Sequence, residues 1–373
     1  MSSSSTSSAT SSTSSSNSSS STSSISSDCS SGSYAQNVVC AASAFESTLT
    51  STQLAQAQYS TSSYTNSQLN VYKTLWSNLP GVNRAGIALS SLTTSDQVAA
   101  FYALADAALT DAGYADFKGV LAADDYLGTK QGGYGSSYAH IAIIGTPSTT
   151  GLWTLQLGNH HLAFNVTFDN GAAYPTPHHI GVEPKASFTY GGSTYQVLAD
   201  KAAAVLGIFY GQTDSLSPTT SGSTALTAAR LSATYTDVLI GPVEYNTGSY
   251  ANVSAKFPTS NRGTLVSSLT TAQQALVTAA ITKYVSDYDS TVAADLVAAY
   301  TSATAYASTY VAWSGSSSLS YPNVDTSNTY LRIDGPRVWI EIACQGGVVI
   351  QGATHYHMMF RDKVFDYYNE LST

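Results

Sequence analysis

Charge is what this sequence has least of. Only 10% of its 373 residues are Asp, Glu, Lys or Arg, where a soluble domain ordinarily carries about 25%. The 14 basic residues face 23 acidic ones, for a formal charge of −9, and none of the basic ones precedes Lys73. A clustered Lys/Arg surface for phosphate backbones is missing, which argues against a nucleic-acid partner. A basic run able to hold an anionic membrane is missing too. No stretch approaches the roughly 18 consecutive apolar residues of a membrane span. Met1 runs straight into serines without a basic or apolar leader region, so the chain reads as a mature form with a start methionine. Cysteine is nearly absent: Cys29 and Cys40 stand close enough to close a short loop, and Cys344 is alone in an apolar context.

Several chemistries lack their motifs. There is no GxSxG nucleophile elbow, no P-loop, no GxGxxG opening a helix, no CxxC pair and no Asp-rich calcium loop. Gly132-Gly133-Tyr134-Gly135 reads as a flexible loop. Carboxylates for glycoside hydrolysis could come from Asp124-Asp125, Glu183, Glu341 and Asp362, whose separation in space the sequence leaves open.

What replaces charge is hydroxyls, amides and 26 tyrosines. Residues 1–28 are almost entirely Ser and Thr, with too little apolar surface to offset the entropy of ordering them, and read as a disordered stalk. Such tracts on extracellular proteins carry O-glycans or serve as plain spacers. Residues 29–373 read as a single α+β domain. The sequons at Asn17, Asn165 and Asn252 allow N-glycans. With the cysteine pair and the low charge, they point to a secreted, extracellular protein.

Three segments write helix starts alike: Leu49-Thr50-Ser51-Thr52-Gln53, Leu92-Thr93-Thr94-Ser95-Asp96-Gln97 and Leu269-Thr270-Thr271-Ala272-Gln273-Gln274. Each places a hydroxyl cap ahead of Gln, with apolar residues following at helical spacing. Between the first two, Leu75-Trp76-Ser77-Asn78-Leu79-Pro80-Gly81 reads as a turn with a core Trp. From Tyr138 to Ile180 the period changes to two, predicting strands over Tyr138–Ile144, Leu152–Leu157 and His160–Phe168, with a turn at Asp169-Asn170-Gly171. Helices are predicted at Tyr195–Tyr210, Thr224–Ala233 and Thr271 to about Ala312. Strands follow at Tyr330–Ile333, Val338–Ile342 and Val348–Phe360. Because the strand regions flank the helical ones, they are expected to pair into one antiparallel sheet, with N-terminal helices before it and long helices between its halves.

The chemically pointed feature is histidine: six of the seven lie in tight pairs. Side chains two apart on a strand share a face, so His355 and His357 can reach one ion. His160 and His161 are adjacent and diverge on a regular strand, so one of them is expected to join, unless a bulge at Gly158-Asn159 re-aims the chain. Three imidazoles with an open position suit Zn²⁺, Cu or Fe. Glu341, Glu183 and Asp362 could supply a fourth ligand, an outer partner or a base. The bland alternative is a buried hydrogen-bond network. His178-His179 follow Pro175-Thr176-Pro177 and read as a surface loop.

A set of ordered motifs resembles a known family. These are Leu75-Trp76-Ser77-Asn78-Leu79-Pro80, Arg84, Ala112-Gly113-Tyr114, Trp153, Gly158-Asn159-His160-His161-Leu162-Ala163-Phe164-Asn165, Ala312-Trp313-Ser314-Gly315, Tyr330-Leu331-Arg332-Ile333-Asp334-Gly335-Pro336, Glu341, His355-Tyr356-His357 and Arg361-Asp362. From about residue 40 to the C-terminus the chain is similar to the domain-of-unknown-function 3500 family of largely exported proteins, and the resemblance implies fold and export. The chain departs from that pattern at Asn159, where the family usually runs Gly-His-His, and at His178-His179.

The leading functional expectation is a metal-dependent hydrolase with ligands His355, His357 and His160 or His161. Glu341 would hold an imidazole or act as base, Arg361 would orient an anionic or carbonyl-bearing small-molecule substrate, and Asp362 would serve as a further ligand, an outer partner or a base. A copper or iron oxidoreductase is the first alternative. The second is a cell-surface or matrix binding protein for carbohydrate, with structural histidines.

Overall fold

The computed structural model describes residues 29–213, 215–218, 226–241 and 251–369. The stalk reading for residues 1–28 therefore lies outside the described residues. The fold is α+β, as expected. Among the described residues no helix is long and apolar enough to cross a membrane.

Fourteen strands are described. They are β1 (Gln58–Tyr59), β2 (Ile87–Ala88), β3 (His140–Gly145), β4 (Trp153–Asn159), β5 (Leu162–Asp169), β6 (Ala172–Tyr174), β7 (His178–Val182), β8 (Phe188–Tyr190), β9 (Ser193–Tyr195), β10 (Thr264–Leu265), β11 (Tyr310–Ser314), β12 (Thr329–Asp334), β13 (Val338–Gly346) and β14 (Thr354–Asp362). Twelve join one sheet in the order β1-β3-β4-β5-β7-β14-β13-β12-β11-β10, with β2 beside β3 and β6 beside β5, while β8 and β9 form a separate hairpin. Pairing in the large sheet is antiparallel except between β1 and β3. The central and C-terminal strands thus share one sheet, and they meet where β14 lies between β7 and β13.

The two faces follow from alternation along each strand. Tyr356, Met358 and Phe360 of β14, Ile340 and Ile342 of β13 and Phe164 of β5 belong to a core shared with the helices. Those helices include α1 (Tyr34–Thr48), α4 (Ser95–Ala108), α5 (Asp111–Gly128), α6 (Ala199–Tyr210) and α7 (Thr271–Val285), the short α2 (Ser51–Ala57) and α3 (Asn66–Lys73) intervening in the chain. The opposite face, with Ala163, Tyr330, Trp339, Ala343 and Met359, packs against Trp76, Leu231, Val238 and Ile240.

The three predicted helix starts are present. Thr50 and Thr270 form capping boxes with Gln53 and Gln273, and Thr94 accepts from the Gln97 amide. Gln53 and Gln97 are buried and hydrogen-bond to each other, which joins two helix N-termini. The Asn170-Gly171 turn joins β5 to β6 with both residues at positive φ (47° and 81°), the backbone that Asn-Gly adopts without strain. Cys29 and Cys40 form a disulfide that ties the residues before α1 to that helix.

Three local readings change. The long helical stretch from Thr271 splits into α7, α8 (Ser290–Thr301) and a short α9 (Ala303–Tyr306), and its end at Ala312 is strand β11. The predicted helix at Thr224–Ala233 keeps only a 3₁₀ turn, Thr227–Ala229, while 219–225 lie outside the described residues. From there to Gly241 the chain is an irregular strap across the sheet. Its backbone is satisfied by the sheet instead of by itself: Leu231 donates to the Trp313 carbonyl at 2.7 Å, and Tyr235 stacks on Tyr330 with centroids 4.5 Å apart. Finally, His178 and His179 are buried on central strand β7, not in a surface loop. Pro177 precedes the strand and leaves its ladder intact.

Candidate metal centre

On β14, His355 and His357 lie on the face away from the helices. His357 pairs across β7 with Gly181. The other contributor is His161, which with His160 forms the tight turn between β4 and β5, closed by the pairing of Asn159 with Leu162. His161 takes φ +60°, the left-handed region, and this conformation, not a bulge, aims its imidazole at the cluster. The His161 amide donates to the Asn78 carbonyl at 3.2 Å, and its own carbonyl accepts from the Gly181 amide at 2.7 Å. The ring then lies over Gly181: a Cβ there would stand 2.5 Å from the Tyr356 carbonyl oxygen and 3.1 Å from the His161 ring.

The three Nε2 atoms converge. His161 Nε2 is 3.1 Å from His357 Nε2, and His355 Nε2 is 3.3 Å from it. With Zn–N bonds of about 2.0–2.1 Å, tetrahedral geometry separates ligand nitrogens by about 3.3–3.4 Å, so this spacing suits imidazoles around one ion. His161, His355 and His357 are all buried, and among the described residues they form the group that could hold a metal ion.

Two of the three resist protonation. Burial, then the neighbouring imidazoles, push His161 well below its ordinary value, and the same causes bring His355 down to about 3. Neutral imidazoles with free lone pairs are what a metal requires.

His357 is set by a partner on its other nitrogen. Its Nδ1 lies 2.8 Å from Asp237 Oδ1. A carboxylate in this bond can only accept, so Nδ1 carries the proton and Nε2 presents its lone pair to the cluster. Burial raises the Asp237 carboxyl, but the hydrogen bonds it accepts from His357 and the Val238 amide outweigh it and hold the group below the usual carboxylate range. The Asn78 amide flanks the same nitrogen at 3.4 Å. Carboxylate–histidine pairing of this kind orients ligand imidazoles and raises their basicity. Neither Asp237 nor Asn78 was identifiable from the sequence. Asp237 is 120 positions from His357 in the chain and sits in the strap, where no local spacing links the two.

His160 belongs beside the centre. Its ring stacks on His161 with centroids 3.7 Å apart, and its Nδ1 meets Asp124 Oδ1 at 2.7 Å. Asp124 also accepts from the Gly135 amide and the Asn159 side chain, so the residue that interrupts Gly-His-His helps to fix the turn.

The other predicted residues are placed elsewhere. Glu341 holds no imidazole: it accepts from the amides of Leu239 (2.6 Å) and Ile240 (3.3 Å), the Tyr330 hydroxyl (2.7 Å) and the Trp339 indole (2.7 Å). Burial raises its carboxyl against the pull of those bonds. Arg361 is fully buried and bonded to Asp366 and the Ile240 carbonyl, so it offers no surface to a substrate. Asp362 lies on the helix face, accepting from Tyr300, Arg337 and the Val364 amide. Glu183 accepts from the amides of Val349 and Ile350. His179 is on the histidine face, its ring centroid 5.6 Å from that of His357, whereas His178 points to the helices. Asn165 is buried, bonded to Gln156 and the Pro177 carbonyl, and unavailable to a glycan in the folded chain. The Asn252 side chain lies outside the described residues.

No curated protein and no solved structure matches the chain. A family described as "Protein of unknown function (DUF3500)" matches residues 31–369. The motifs that build the β4–β5 turn, β12 and β14 all fall within that span, and the chain belongs to this family.

Proposed function

We propose that this is a secreted metalloprotein whose ion is held by His161, His355 and His357, and that it acts as a metal-dependent hydrolase. The observation that carries the reading is the convergence of three buried Nε2 atoms while His357 gives its opposite nitrogen to Asp237. In a purely structural network the single Nε2 lone pair of His357 would have to accept from both His161 and His355, whereas one ion takes all three nitrogens.

A bound ion would supply Lewis acidity and lower the pKa of a coordinated water. The chain contributes the rest. Asp237 fixes the tautomer of His357 and is 45% exposed, which marks the side from which solvent reaches the centre. Asp124, itself buried, holds His160 against the ring of His161. The Cys29–Cys40 disulfide supports an oxidising compartment and hence export.

The test is metal content by inductively coupled plasma mass spectrometry on untagged protein, beside His355→Ala/His357→Ala. Near-stoichiometric zinc that disappears in the variant supports the hydrolase. Copper or iron lost in the same way would move the reading to an oxidoreductase. No metal in either protein after reconstitution would reject the centre and leave a binding protein with structural histidines.

A further inference from the structure

The strap of residues 226–241 reaches the histidine centre, and a buried carboxylate on β13, two residues from the cross-strand partner of His357, holds it there. The strap leaves β11 through Leu231, crosses β12 by stacking Tyr235 on Tyr330, and meets β13 where Gln345 donates to the Thr236 carbonyl at 3.0 Å. The next residue, Asp237, bonds His357. Two residues on, Leu239 and Ile240 each give their amide to Glu341, one to each carboxylate oxygen. The Ile240 carbonyl then accepts from Arg361 at 3.4 Å.

Glu341 is 0% exposed, and its other two donors, Tyr330 and Trp339, come from the sheet. A carboxylate buried this deeply is costly unless fully hydrogen-bonded, and here half of its bonds are backbone amides of the strap. Asp237, by contrast, is half-exposed, and its bond to His357 would be short-lived if the strap could lift.

We propose that Glu341 is a positioning residue for the metal centre. By clamping the amides of Leu239 and Ile240 it keeps Asp237 on Nδ1 of His357, and so keeps Nε2 of that ring turned to the ion. This rests on the reading of the triad as a metal site.

The experiment measures the dissociation constant of the full chain for Zn²⁺, by competition with a chromophoric chelator, and the visible spectrum of the Co²⁺ form. The proteins compared are wild type, Glu341→Gln, Asp237→Asn and the double variant. Removing outer partners of metal ligands costs about 10–100-fold in affinity, and each single variant is expected to fall in that range with a shifted Co²⁺ band. Because both act through one bond, the double variant is expected to bind about as weakly as Asp237→Asn alone. If Glu341→Gln does not fold, Leu239→Pro removes one amide donor while leaving Glu341 with its sheet partners, and the same weakening is expected. Wild-type affinity and spectrum in a folded Glu341→Gln or Leu239→Pro protein would overturn the proposal alone, as would losses that multiply in the double variant. A wild type that binds neither Zn²⁺ nor Co²⁺ would overturn the triad and the proposal together.

Discussion

A residue without a side chain decides whether the centre can assemble. A Cβ on Gly181 would clash with the Tyr356 carbonyl at 2.5 Å and press on the His161 ring at 3.1 Å, so Gly181→Ala would push β7 from β14 and shift that ring within the cluster. We expect a folded but destabilised protein whose capacity to bind metal falls well below that of wild type, measured by mass spectrometry beside a thermal melt. Unchanged metal content would show that the ring need not lie there. The His355-x-His357 spacing was legible because strand periodicity alone puts the two on one face. The expectation that one of His160 and His161 joins them matches the turn, although its cause is a left-handed residue. Asp237 was not legible, because its role comes from a strap with no periodic pattern. Glu341 and Arg361 stood out in the sequence yet serve that strap, since charged residues on a central strand are as useful for holding backbone as for chemistry.

Among the elements, the helices carry the clearest local instructions. Thr50 caps α2 with Gln53 reciprocating, and that same Gln53 reaches Gln97 of α4. Thr50→Ala is expected to lower the unfolding free energy by about 1 kcal/mol, read from the denaturant midpoint at constant m-value. A loss below a few tenths of that would mean that Gln53 and Gln97 hold the helix start without the hydroxyl. The strands are legible by alternation, while the Ala and Leu of Thr224–Ala233 write a helix where the strap begins. Propensity is a weak prior where amides find better acceptors, and here the Leu231 amide goes to the Trp313 carbonyl of the sheet. His178-His179 were misplaced for a related reason: the prolines before them describe the approach to β7 and say nothing of the strand itself.

For the whole molecule, stability should depend on a carboxyl far from the histidines. Glu46 on α1 is half-buried with one oxygen unpartnered, and burial raises its pKa from 4.5 to about 7. The folded state therefore favours the protonated form. Stability from this group is fully present below about pH 4.5 and is lost as pH rises through about 7. Glu46→Gln is expected to match wild type near pH 4.5 and to melt higher at pH 8, and melting curves at the two pH values would show it. Equal melting temperatures at both would mean that the carboxylate is solvated in the fold. The position of β14 has a consequence for how the protein is made. A strand that comes late in the chain is the keystone of the sheet, inserted between β7 and β13 and joining halves that were synthesised far apart. On a ribosome, the earlier strands must wait with unpaired edges until Thr354–Asp362 emerges. Two of the three clustered histidines arrive with that strand, and the third waits 196 positions upstream, so the cluster cannot assemble before the sheet has closed.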